Sequence, residues 1–245
     1  MNIIALPRVG STSTYMRQEL VDAPAGTVVV TDCQSAGRGQ RGNSWEAEPG
    51  ANLTFSVQLR PGGIDATTQY AVSEAVALAI VEALDPLVPD AARLAIKWPN
   101  DIYYDDRKIC GILIENTLSG MNVSRSIAGI GININQTRFV SDAPNPVSLS
   151  MLTGLTYPLR PLLEDVVTRV LDRVAAIATP DGRRTTADDY MSRLWRRDGL
   201  HPYRLPDGTR FSATIESVAP TGHLTLRHAD GTATTHAFKE VAFEL

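Results

Sequence analysis

The sequence predicts a mixed α+β domain over residues 1–197, followed by a small all-β unit over 198–245. Two observations predict it. Before residue 197, β-branched or alternating runs are interleaved with longer stretches of helical apolar spacing. After "WRRDGLHPYRLPDG" the texture changes. The remaining "TRFSATIESVAPTGHLTLRHADGTATTHAFKEVAFEL" is a series of short strands with turn signals at "PDG", "PTG" and "ADG", as in a small β-barrel or meander.

The elements follow in order. "STSTYMRQEL" starts a helix, with Ser11 placed to cap it. "GTVVVTDCQ" is a β-branched run and reads as a buried strand. "NLTFSVQL", 52–59, alternates like a strand, and 67–84 is a long amphipathic to apolar helix. "LAIKW", 94–98, is a short strand stopped by Pro99. "DIYY" and "KICGILIEN" flank "DDR" and predict a hairpin. "VSRSIAGIGININ", 123–135, is a further strand whose glycines mark a close approach. Helical stretches are expected at 148–155, 158–177 and 185–195.

Composition narrows the function. The formal net charge of −4 gives no global drive toward nucleic acid. No apolar run reaches the length of a membrane span, and "MNIIALPRVG" lacks the cationic start of a signal peptide, so a cytoplasmic location is expected. Cys33 and Cys110 have no metal-ligand spacing. The four histidines, His201, His223, His228 and His236, all lie near the C-terminus, so the first 200 residues supply no Ser-His-Asp triad and no histidine metal site. The chain has twenty arginines and three lysines, Lys97, Lys108 and Lys239. Two of the three fall within "KWPNDIYYDDRK", which points to a requirement for a compact ammonium there.

"GRGQRG", 37–42, matches G-x-G-x-x-G by spacing. A dinucleotide loop must open a helix, whereas "NSWEAEPGANLTFSV" leads through Pro49 and Gly50 into a strand. The Rossmann reading is rejected. What remains is a long loop with anion-binding potential: glycines that turn N–H groups toward a ligand, Arg38 and Arg41 for charge, and Trp45 to stack on a base. Taken alone it reads as a mobile surface loop with solvated arginines, and only the lysine hairpin beside it favours the binding loop. The lysine hairpin adds complementary groups. Lys97 ends a strand, Asn100 and Asp101 follow the Trp98-Pro99 step, and Lys108 returns on the next strand. Singly, Asn100 and Asp101 are ordinary turn residues. Together the four suit a carboxylate substrate, a phosphate and Mg²⁺.

Together, "GRGQRGNSWEAEPGANLTFS" and "KWPNDIYYDDRKICGILIE" resemble the two signature motifs of the biotin protein ligases, the biotin–[acetyl-CoA carboxylase] ligases. "GSTSTYM", "GIGININ" and the C-terminal β segment are similar to that family's first biotin-contact segment, its later strand and its small SH3-like barrel. The resemblance implies a mixed sheet flanked by helices, as in class II synthetases. It implies ATP and Mg²⁺ as cofactors and two half-reactions. In the first, biotin's carboxylate attacks the α-phosphate of ATP, giving biotinyl-5′-AMP and pyrophosphate. In the second, a lysine of a biotin carboxyl carrier domain takes the biotinyl group, releasing AMP.

By the same resemblance, Lys97, Lys108, Asp101 and Arg38 are the catalytic candidates. Ser11, Thr12, Ser13, Gln34, Gly37, Arg38, Gly39, Lys97 and Gly129 are expected at biotin. Arg38, Gln40, Arg41, Trp45, Asn100, Lys108, Gly131 and Asn133 are expected at ATP or the adenylate. The metal ligands stay open, with Mg²⁺ carried mostly by phosphates and Asn133 as a candidate. Asp101 is the expected partner of the acceptor lysine, which must lose a proton to attack.

The chain departs from the family pattern in three places. The first biotin segment lies close to Met1, so no DNA-binding domain and no DNA partner are expected. Gln40 stands where the loop commonly has arginine, and Ser13 where asparagine is common. The alternatives are a lipoate or octanoate ligase or transferase of the same superfamily, or an inactive biotin-binding regulator. A homodimer is compatible with the sequence, and no membrane partner is expected.

Overall fold

The computed structural model describes residues 1–37, 39, 45–140 and 145–244. It contains a seven-stranded mixed sheet with helices and a five-stranded antiparallel sheet. The first sheet is built from β1 (Asn2–Val9), β2 (Thr27–Gln34), β3 (Leu53–Leu59), β4 (Leu94–Lys97), β5 (Asp101–Tyr104), β6 (Arg107–Ser119) and β7 (Asn122–Ile132). Its strand order is β1-β2-β3-β7-β6-β5-β4. Only the β1–β2 pair is parallel, and α1 (Thr12–Glu19) makes that crossover.

The strand at the N-terminus is an element the sequence reading did not include. Pro7 argues against a strand, because it cannot donate to a ladder. β1 tolerates it as an edge strand, paired with β2 on one side only. At the other edge, β4 is covered by the segment after the last helix: Ile96 N–H donates to Arg193 O at 2.8 Å and Trp195 N–H to Ile96 O at 2.8 Å.

The two faces of this sheet differ in chemistry, and the period-2 alternation of its strands is the reason. On one face, Val28, Phe55, Val57, Cys110, Ile112, Ala128 and Ile130 join the main core. α2 (Tyr70–Leu84) packs there, buried on nearly every side, as its continuous apolar run requires. α4 (Leu159–Ala176) packs on α2 through Leu163, Val166, Val167 and Val170. On the other face, β3 presents Thr54, Ser56 and Gln58, all buried although polar. α1 covers part of that face, seating Met16 against Val29 and Ile127. Its start is capped by Ser11, whose Oγ accepts from Thr14 N–H.

α3 (Leu149–Thr153) and α5 (Pro180–Ser192) complete the helices. α5 begins earlier than its apolar spacing suggests. Thr179 accepts from Gly182 N–H and Pro180 sits in the first turn, so the start is fixed by its cap and the weak helix formers after it are carried along.

The second sheet holds β8 (His201–Arg204), β9 (Arg210–Val218), β10 (Leu224–His228), β11 (Ala233–His236) and β12 (Ala242–Phe243), in the order β11-β10-β9-β8-β12. It is anchored on the turn after β4. Trp98 Nε1–H donates to Gly222 O at 3.0 Å, and Tyr70 N–H to Pro220 O at 3.3 Å. Gly222 has φ +90° and lies so close to Tyr70 that a Cβ there would stand 2.6 Å from the ring. Among the described residues, no helix is long and apolar enough to cross a membrane.

Candidate active site

A cavity of about 1010 Å³ opens on the polar face of the seven-stranded sheet, beside the start of α1. It is large enough for a drug-sized or nucleotide-sized ligand. The floor is made where β6 and β7 carry Gly111, Gly129 and Gly131. Ser11, Thr12, Ser13 and Gln34 form one wall; Lys97, Asn100, Asp101, Tyr103 and Lys108 form another.

The first wall is a hydrogen-bonded set held from below by Ser56. Gln34 Oε1 accepts from Thr12 N–H at 2.8 Å and from Thr12 Oγ1–H at 3.2 Å. The Ser56 hydroxyl, fully buried, lies 2.8 Å from Thr12 Oγ1 and 2.9 Å from Ser13 Oγ. The Gln34 carbonyl is therefore committed, and its NH₂ is the group left to meet a ligand.

The second wall is set by strand alternation and one bulge. Leu94 and Ile96 of β4 face the core, so Lys97 at the strand end faces the cavity. Its register partner is Asp101, at the start of β5. On β6, unbroken alternation would put Lys108 on the core face with Cys110. The register shifts there: Ile102 pairs Cys110, but Tyr103 pairs Lys108. Ile109 is the extra residue and is buried in the core with Cys110, which re-aims Lys108 into the cavity. Lys108 Nζ then meets Asp101 Oδ1 at 2.7 Å. Asn100 Nδ2 donates to Ile112 O, pinning the turn to β6.

Lys97 has an unusual setting for an ammonium. Nζ donates to the Tyr103 hydroxyl at 3.0 Å, and lies 4.7, 5.6 and 5.7 Å from the ring centres of Tyr103, Trp195 and Phe243. Burial pushes its pKa below the usual lysine range; Asp101 opposes the shift, and the like charges of Lys108 and Arg196 add to it. An anion arriving in the cavity would add counter-charge at this ammonium beyond that of Asp101.

The glycines of the floor are approached closely, by side chains of this chain. A Cβ on Gly131 would stand 2.3 Å from the Trp45 indole, and one on Gly129 would stand 2.5 Å from Ser13 Oγ. The close approach expected at 129 and 131 is thus made by Trp45 and Ser13. Lys108 Nζ lies 5.7 Å from the Trp45 ring centre. The indole Nε1 is buried and has no hydrogen-bond partner among the described residues. Gly37 accepts from Trp45 N–H at 3.2 Å, and a Cβ there would stand 2.7 Å from Trp45 O. Gly39 lines the cavity, while Arg38, Gln40 and Arg41 lie outside the described residues.

Two loops at the rim are tied together. Glu46 Oε1 accepts from Val140 N–H at 2.9 Å, and Gln136 Oε1 accepts from Glu48 N–H at 2.9 Å. Asn133 is 2% exposed; its Nδ2 donates to Val147 O at 3.1 Å, while its Oδ1 has no partner among the described residues. Among the described residues, no cluster of three or more His, Cys, Asp or Glu is placed to hold a metal.

The family model described as Biotin/lipoate A/B protein ligase family matches residues 5–133, more than half of the chain. The chain belongs to the biotin/lipoate A/B protein ligase family. Within the family, it is 45% identical over 130 residues to the biotin–[acetyl-CoA-carboxylase] ligase of Paracoccus denitrificans, covering 53% of this chain and 53% of that protein. The chain spans about half the length of the first curated relatives it matches. The biotin protein ligase of Aquifex aeolicus in complex with biotin and ATP shares the fold, with a TM-score of 0.81 at 22% identity over 99% of this chain and 98% of that one. The Leishmania major biotin protein ligase in complex with biotinyl-5-AMP matches with a TM-score of 0.67 at 27% identity, over 96% of this chain and 98% of that one.

In this family member, several cavity residues lay outside the sequence reading. Thr54, Tyr103 and Gly111 line the cavity, and Ser56 supports it. The alternation in "LTFSVQL" carries a signal for Thr54 and Ser56, since a strand polar on one face and apolar on the other has a side that meets something polar. The C-terminal sheet also reaches the cavity, through Phe238, Lys239 and Val241–Phe243.

Proposed function

We propose that this chain is an ATP-dependent biotin protein ligase that forms biotinyl-5′-AMP and transfers biotin to a lysine of a biotin carboxyl carrier domain. The observation that carries the reading is one shared cavity in which the Lys97 and Lys108 ammoniums and the Asp101 carboxylate share a wall with Asn100, beside the fixed polar set Ser11, Thr12 and Gln34. A neutral bicyclic head needs fixed donors and acceptors, and its carboxylate needs cations.

In the first step a biotin carboxylate oxygen bonds to the α-phosphorus, the bond from that phosphorus to the bridging oxygen breaks, and pyrophosphate leaves with the electron pair. Two anions must be held in contact for this, and Lys97 offsets their repulsion. Lys108, released in part from Asp101, supplies the second cation. In the second step the carrier lysine's amine attacks the acyl carbon, AMP leaves with the bond electrons, and the amine loses a proton. Asp101, a carboxylate that lines the cavity beside Lys108, takes it in this reading. Trp45 supports the adenine, and Ser13 and Gly129 border biotin.

A Mg²⁺ carried on phosphate oxygens would fit this donor set, with Asn133 Oδ1, which has no partner among the described residues, as a neutral protein ligand. When bound it neutralises phosphate charge. Among the described residues no acidic cluster provides a protein cage for the ion.

The test is biotin-dependent pyrophosphate release from ATP, and then biotin transfer to a purified carrier domain, with wild type and Lys97→Ala side by side. Wild-type turnover lost in Lys97→Ala supports the proposal. Turnover with lipoate or octanoate in place of biotin would move the chain to the other branch of its family.

A further inference from the structure

We infer that Lys239, carried by the C-terminal sheet, is a third cation of the site and binds the β- and γ-phosphates of ATP, the part that leaves as pyrophosphate. The inference rests on the ligase reading above and names the group that recognises the leaving half of the nucleotide.

Three observations carry it. The chain has only three lysines beside twenty arginines, and all three line one cavity. Lysines scattered by chance over the surface would not converge in this way. Next, Lys239 sits at φ +73°, the left-handed region that side chains other than glycine adopt at a cost. It is the third residue of a tight turn in which Glu240 N–H donates to Ala237 O at 3.0 Å. That position of such a turn favours glycine. A long cationic side chain kept there against local preference is a strained residue at a site, and function is the usual reason. Finally, the charge is available. Among the described residues Lys239 makes no ion pair, and the adjacent Glu240 carboxylate is occupied, accepting from Ala237 N–H at 2.7 Å.

The turn is also joined to the rest of the site. Phe238 packs on Trp98 with ring centres 6.1 Å apart, and Phe243 borders the Lys97 ammonium. Lys97 and Lys108 on the first sheet thus share one cavity with Lys239, in the turn between β11 and β12. A triphosphate carries more charge than a carboxylate and an α-phosphate alone, and an ammonium at its tail adds to the charge that Lys97, Lys108 and Mg²⁺ offset.

Lys239→Gly tests this well, because it deletes the ammonium while suiting the backbone. Binding of the non-hydrolysable α,β-methylene analogue of ATP is measured with and without biotin, beside binding of AMP. The expected result is about tenfold weaker binding of the ATP analogue in Lys239→Gly, with AMP and biotin unchanged and Lys239→Arg close to wild type. Equal affinity of wild type and Lys239→Gly for the analogue, or an equal loss for AMP, overturns the inference, as does a wild type that binds no analogue. If wild type binds the analogue through Lys239 yet releases no pyrophosphate with biotin and ATP, the inference stands and the ligase reading fails.

Discussion

Lys108 reaches Asp101 because β6 carries one residue too many. The bulge at Ile109 turns the lysine from the core face to the cavity, where Nζ meets the carboxylate at 2.7 Å. Both side chains are partly exposed, so the pair adds little to stability, about 1 kcal/mol or less. Its value is placement: each charge waits beside the other for a different step.

Asp101→Asn separates those steps. Transfer from preformed biotinyl-5′-AMP to the carrier domain is expected to fall at least about tenfold, because the proton acceptor for the attacking lysine is gone. Adenylate formation is expected to change less, since Lys108 keeps its charge and loses a competitor. Single-turnover rates for each half-reaction check this. An equal loss in both would make Asp101 a positioning residue for Lys108.

Lys97→Arg is not expected to rescue Lys97→Ala. The ammonium sits within 4.7 to 5.7 Å of three aromatic ring centres and donates to Tyr103 at 3.0 Å, a space shaped for a compact charge. Pyrophosphate release is expected to drop by about a hundredfold or more in both variants, consistent with losing a preorganised cation at developing charge. Recovery by arginine to near wild-type rate would show that charge alone is needed.

Gly131→Ala probes the floor. The added Cβ would stand 2.3 Å from the Trp45 ring, a contact that forces the indole to move. ATP KM is expected to rise several-fold and the tryptophan emission to shift toward that of a more exposed indole. Gly129→Ala is the companion variant: its Cβ would meet Ser13 Oγ at 2.5 Å, so biotin KM is expected to change while the emission stays.

The parts of this site that the sequence discloses are local. Pro99 ends β4 right after Lys97, and "DDR" turns β5 into β6, so "KWPNDIYYDDRK" can be placed on a hairpin from its own residues. Ser11 announces the helix it caps for the same reason. The parts that stay hidden depend on distant pairing. The Ile109 bulge exists only relative to β5, and Ser56 becomes a support only when α1 lies over β3. β1 is hidden because Pro7 is tolerable only at an edge, and which strand is the edge is a property of the whole sheet. Lys239 is visible as one of three lysines, but its place in one cavity with the other two depends on the anchoring of one sheet on another.

Glu74 gives a prediction about pH. It lies on α2, 4% exposed, and burial raises its pKa from 4.5 to about 7. Between those values the folded protein holds a proton that the unfolded chain has released, so stability falls as pH rises through that window. Below pH 4.5 this loss is absent, and above about pH 7 it is complete, on the order of 3 kcal/mol. Glu74→Gln keeps the shape and removes the titration. Its Tm is expected to exceed that of wild type only slightly near pH 5 and by several degrees at pH 8. Thermal unfolding of both proteins from pH 5 to pH 8 checks this, and parallel curves across that range would show that the Glu74 carboxyl is solvated well enough to ionise normally.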